Sequence, residues 1–121
     1  MKSWKMELKF MDNKKNDSYY FAKIIEDIDI IKRHLGNASY EQFMADQLMN
    51  DATMFRLVQL IENIKSVSQT FKDSHPEIPW SDIVGFRNKI VHEYGKTDYT
   101  IVYQIFTRDL DVLVDLFEQY L

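Results

Sequence analysis

Between Gly85 and Tyr94 the chain reads Gly-Phe-Arg-Asn-Lys-Ile-Val-His-Glu-Tyr, and four of these side chains are equipped for chemistry together. Arg87 carries a permanent cation whose planar fork of donors matches phosphate oxygens. His92 supplies an imidazole, the side-chain type suited to taking and giving protons in catalysis. Asn88, one helical turn before His92, is placed to orient the imidazole or to hold a ribose hydroxyl, and Tyr94 adds a phenol. The set suits phosphodiester cleavage without a metal: a base takes the 2′-hydroxyl proton, an acid protonates the leaving oxygen, and a cation stabilises the charged phosphorane. One chain supplies one acid-base group where the reaction uses two. A twofold dimer that brings two Arg87 and two His92 to one axis supplies both.

As a helix, this segment sets Ile83, Val84, Ile90, Val91 and Tyr94 on one arc with Arg87 near its middle. Asn88 and His92 line the edge of the arc, and Lys89 and Glu93 fall on the wet side. An unpaired guanidinium inside an apolar face costs several kcal/mol, so the arc meets an anionic substrate, a second copy or a carboxylate of its own chain. Glu62 and Asp51, on the long helix that precedes it, are the candidates for a plain structural ion pair.

The elements that must position this helix are themselves helical. Phe21, Ile24, Ile25, Ile28, Ile31 and Leu35 recur at spacings of three and four from Ser18 onward, and Gly36 stops the run. Ser39 with Gln42 three residues later makes a capping box ahead of a short helix. Leu48, Ala52, Phe55, Val58, Ile61, Ile64, Val67 and Phe71 predict the longest helix, from Leu48 through Phe71. Pro76 and Pro79 end it, and Ser81 or the residue before it is expected to cap the motif helix. Asp98 opens a last helix with Ile101, Val102, Ile105, Leu110, Leu113, Val114, Phe117 and Leu121 on its apolar face. The expected fold is an all-α antiparallel four-helix bundle with an additional short helix, spanning residues 17–121. Ahead of it, residues 1–16 form an extension in which Trp4, Met6, Leu8 and Phe10 alternate with Lys5, Glu7 and Lys9, a strand-like period of two.

Composition limits the alternatives. The 121 residues contain no cysteine, which excludes thiolate nucleophiles, disulfides and cysteine zinc sites and suits a cytoplasmic protein. From Asp17 onward ten basic residues face seventeen acidic ones, a balance that argues against indiscriminate nucleic-acid binding. No apolar run approaches the ~20 residues of a membrane span, and no glycine-rich phosphate loop occurs. His34 complements the end of the first helix and His75 sits in the proline loop; neither has carboxylates at ligand spacing, so no metal or other cofactor is expected. Glu26, Asp27 and Asp29 are expected to form a solvated face, and Met44, Met49 and Met54 to fill the core.

The run Gly85-Phe86-Arg87-Asn88-Lys89-Ile90-Val91-His92-Glu93-Tyr94 resembles the motif of the HepT-like toxins, a branch of the HEPN superfamily. That motif is Arg, four to six residues, His, any residue, Tyr, commonly with Gly before the Arg and Asn after it. Ser39-Tyr40-Glu41-Gln42-Phe43, Pro76-Glu77-Ile78-Pro79-Trp80 and Asp98-Tyr99-Thr100-Ile101-Val102-Tyr103 resemble the same family's second-helix start, pre-motif loop and last-helix start, in the same order. The family's long helix usually has a small residue ahead of its Glu, where this chain has Ile61 before Glu62. The resemblance implies a homodimeric, metal-independent RNA endonuclease toxin of a toxin-antitoxin pair, with Arg87 and His92 as the catalytic pair. It also implies a small nucleotidyltransferase antitoxin that AMPylates Tyr94. The alternative, from a related HEPN branch, is a non-catalytic subunit that binds substrate for a nucleotidyltransferase.

Overall fold

The computed structural model describes residues 15–121, and among these every regular element is helical. The strand-like pattern of residues 4–10 lies outside the described residues. Helix α1 (Asp17–Leu35) is capped by Asn16, whose side chain accepts from the Tyr19 N–H at 3.0 Å, and it ends at Gly36. Gly36 has φ 55°, a conformation that an L side chain resists, which explains the residue type at this stop. The capping box forms as expected: Ser39 Oγ accepts from the Gln42 N–H, Gln42 Oε1 accepts from the Ser39 N–H, and α2 (Tyr40–Ala45) follows.

Helix α3 (Gln47–Ser66) stops earlier than the apolar spacing predicts. Val67 turns extended and Ser68 caps a separate short helix, α4 (Gln69–Asp73), by accepting from the Phe71 N–H. Asp17 holds the break by accepting from both the N–H and the hydroxyl of Ser68, at 2.8 and 2.6 Å. A serine that bonds local backbone interrupts a helix that hydrophobic periodicity alone would continue. The buried stripe of α3 also differs from the expected one. Met54, Leu57, Leu60, Ile61 and Ile64 are enclosed, whereas Leu48 and Phe55 stand 80% and 62% exposed.

Helix α5 (Trp80–His92) begins directly after Pro79 with no side-chain cap, so the expected role of Ser81 is not seen. Its first turn is anchored instead by the Trp80 indole, which donates to the carbonyls of Lys72 and His75 at 3.1 and 3.0 Å. A single 3₁₀ turn, Tyr94–Lys96, leads to α6 (Tyr99–Gln104), capped by the Asp98 side chain. A π-turn over Ile105–Asp109 then runs into α7 (Leu110–Glu118). Phe106 and Leu116, outside the expected apolar set, are buried, while Ile101 before the π-turn and Leu121 beyond the last helix are exposed.

Helix α1 packs along α3, α7 closes on α1, and α5 rests on the other side of α3. The centre is formed by Ile24, Ile28, Leu57, Ile64, Phe106 and Phe117. Each such side chain contributes about 1.5–3 kcal/mol through burial, which makes α3 a rigid platform for α5. One acidic residue departs from expectation. Glu26 and Asp29 are exposed, but Asp27 is 3% exposed and accepts from Arg56 Nη1 at 3.1 Å and Asn63 Nδ2 at 2.7 Å. Met54 is core, Met49 is half-buried, and Met44 is exposed, so only part of the methionine expectation holds. Among the described residues no helix is long and apolar enough to cross a membrane.

Candidate active site

Helix α5 presents its motif to one side of α3, with Ile90 buried and Ile83 and Phe86 half-buried beneath it. Val91 and Tyr94 are exposed, so the arc around Arg87 is a rim of the core and is less buried than its sequence suggests. The Arg87 side chain keeps 27% of its surface exposed and its Nε lies 2.6 Å from Glu62 Oε1. These two atoms are enclosed, yet the N–H is not aligned on the oxygen for a hydrogen bond. The contact is an ion pair that fixes the root of the guanidinium. Arg87 Nη1 donates to Asn88 Oδ1 at 3.1 Å, and Nη2 has no protein acceptor among the described residues. The outer edge of the fork is therefore available to an anion.

Asn88 Oδ1 is engaged by Arg87, so in this arrangement its carbonyl serves the guanidinium and not the imidazole. His92 is exposed on the last residue of α5 and makes no protein hydrogen bond among the described residues. Cations in the last turn of a helix are favoured by the dipole, and Lys89 and His92 occupy that turn. The helix ends at His92, so Tyr94 does not share a helical face with Arg87 as a continued helix would require. The 3₁₀ turn carries it back to α3, where its hydroxyl donates to Asp51 Oδ1 at 3.0 Å. Burial, the bond to Asp51 and contact with Tyr99 hold the phenol well above the ordinary tyrosine range.

Both acidic candidates on the long helix thus engage the motif, in different ways: Glu62 meets Arg87 and Asp51 meets Tyr94. Leu48, Asp51, Phe55 and Glu62 recur at spacings of three, four and seven, so they form one stripe of α3 along the motif side. The two exposed apolar members, with exposed Val91 on α5, leave a non-polar surface beside the charged groups. The other histidines stand elsewhere: His34 is exposed at the end of α1, and His75 bonds Glu77 and Tyr120 against the ring of Phe71. Among the described residues no cluster of His, Asp and Glu is arranged to hold a metal ion.

Residues 24–120 match the family described as Ribonuclease HepT-like. The chain belongs to the HepT-like ribonuclease family. A relative named as a probable ribonuclease HepT, from Thermococcus cleftensis, is 28% identical over 106 residues, 88% of this chain and 96% of its own length. A provisionally named RNase of Caldanaerobacter subterraneus subsp. tengcongensis is 26% identical over 94 residues, covering 78% of this chain and 84% of the relative. Another, from Methanocaldococcus jannaschii, is 24% identical over 106 residues and 88% of each chain. No solved structure matches.

The closed polar node of Asp27, Arg56 and Asn63 was missed by sequence reasoning, although a signal for it exists. Asp27 falls three after Ile24 and four before Ile31, both buried, so the helical wheel of α1 already turns it inward. The Asp51 contact with Tyr94 had no such signal, because it depends on where the chain turns after His92.

Proposed function

We propose that this HepT-like chain is an RNA endonuclease that acts without a metal ion at a site centred on Arg87 and His92. The observation that carries the reading is the half-committed guanidinium: Glu62 holds Nε, Asn88 takes Nη1, and Nη2 has no protein acceptor among the described residues, on the same helix as an exposed imidazole. A phosphate fits the free edge of Arg87, where positive charge stabilises the phosphorane. The neutral imidazole of His92 takes the 2′-hydroxyl proton; the imidazolium of a second copy protonates the leaving oxygen. Isologous pairing of two bundles through Leu48, Phe55 and Val91 would cover the apolar stripe and set the two sites on one axis.

In this reading Tyr94 is the regulatory residue of a toxin-antitoxin pair. Its partly exposed phenol is open to a nucleotidyltransferase antitoxin, and an added AMP places negative charge and bulk on the side of α3 that also carries the Arg87 contact, where it opposes the approach of RNA phosphate. A second reading is favoured by the Glu62 contact: Arg87 as an ordinary structural ion pair in a helical scaffold.

Incubating a labelled RNA with the purified chain and with His92→Ala, in excess chelator, separates the two. The nuclease reading expects cleavage by the wild type with chelator present and a loss of about 10²–10⁴-fold in the variant at unchanged helicity. Equal rates, or no cleavage by either, overturn it in favour of the scaffold.

A further inference from the structure

Between α5, the π-turn and α7 lies an open cleft of about 380 Å³. Its floor is apolar, with Leu57, Leu60 and Ile64 from α3, Ile83 and Phe86 from α5, and Leu113 from α7. Glu77, Asp82 and Asp109 stand around it, and among the described residues no Lys, Arg or His lines it. Three carboxylates over an apolar floor repel nucleic-acid phosphate and select an occupant that is both apolar and cationic.

This sequence contains one segment of that chemistry. Trp4, Met6, Leu8 and Phe10 alternate with Lys5, Glu7 and Lys9, and Lys14 and Lys15 follow Asp12, so four lysines outweigh two carboxylates. Its attachment point also fits. Asp17 is bound to Ser68, one turn beyond the cleft residue Ile64, and the seven residues from Phe10 to Asp17 span up to about 25 Å. We propose that the cleft between α5 and α7 is the docking site for residues 4–10 of this same chain, whose lysines complement its carboxylates in charge. Phe86 lines the cleft and directly precedes Arg87, so a seated segment braces the helix that carries the motif. The inference stands independently of whether the chain cleaves RNA.

The full chain has no cysteine, which makes disulfide trapping direct. Lys9→Cys is combined with Asp109→Cys at the cleft, and in a second protein with Asp73→Cys, an exposed position close to the Ser68 attachment point. Docking predicts that the cleft pair closes within one molecule about tenfold faster than the Asp73 pair, because seating raises its effective concentration. Adding Glu77→Lys and Asp82→Lys should slow the cleft pair several-fold and leave the Asp73 pair unchanged. Faster closure at Asp73, rates insensitive to the charge reversals, or bonds formed only between two molecules would each overturn the proposal.

Discussion

Two arginine–carboxylate contacts hang on the same helix, α3, and they differ in what surrounds them. Arg56 meets Asp27 on the α1 side, where the carboxylate is 3% exposed and Asn63 occupies its second oxygen. Arg87 meets Glu62 on the α5 side, where both side chains keep more than a quarter of their surface and the N–H is not aligned on its acceptor. Glu62 and Asn63 are neighbours in sequence, yet the helical step of about 100° sends one to each node. At the first node both oxygens of a buried carboxylate are engaged, and the pair holds α1 against α3, although Arg56, 30% exposed, commits only Nη1 to it. At the second the carboxylate is 39% exposed and the guanidinium shares its helix with an exposed imidazole, a setting that suits a ligand better than a strut.

The contrast is most exposed to disproof at the closed node. Asp27→Ala should lower the free energy of unfolding by about 3 kcal/mol, because it strands Arg56 and Asn63 at a nearly buried position. RNA cleavage per folded molecule should stay at the wild-type level. Denaturant titration with specific activity on the same samples checks both halves; a folded but inactive variant would erase the distinction.

Next in size is the surface beside the open node. Phe55→Asp replaces an exposed apolar residue of the α3 stripe, and should weaken self-association by about 2 kcal/mol, roughly thirtyfold in Kd. Equilibrium sedimentation measures it, and an unchanged association constant would remove the stripe from the dimer face. Glu62→Gln has a smaller expected effect on stability, below about 1 kcal/mol, because solvent screens a pair this exposed. A loss as large as that of Asp27→Ala would mean that both nodes are structural.

The smallest effect concerns pH. The folded chain holds the Tyr94 proton more tightly than the unfolded chain, so the stabilisation is complete below the ordinary tyrosine value of about 10. It is lost as pH rises from there through the raised folded value. Tyr94→Phe should therefore be slightly less stable than wild type at neutral pH and close the gap in alkali. Parallel stability curves across the alkaline range would contradict the Asp51 bond.

The helical fold was legible because Phe21, Ile24, Ile28 and Ile31 on α1 follow the core period without interruption, and because Gly36 and the Ser39–Gln42 box mark ends by local chemistry. What escaped sequence reasoning depends on contacts between distant residues. The break at Ser68 requires Asp17, fifty-one positions away, and the exposure of Leu48 and Phe55 follows from which face of α3 the other helices claim. At the site, Arg87 and its possible pairing with Glu62 were readable from the wheel. The position of Tyr94 was not, because the helix ends at His92 and a 3₁₀ turn redirects the chain.

The most direct test is Arg87→Met, with RNA cleavage and unfolding measured on one preparation. An open, anion-ready node predicts a loss of cleavage of about 10²–10³-fold with stability within about 1 kcal/mol of wild type. Wild-type cleavage by Arg87→Met, or a loss explained entirely by unfolding, would contradict the assignment of Arg87 to the reaction.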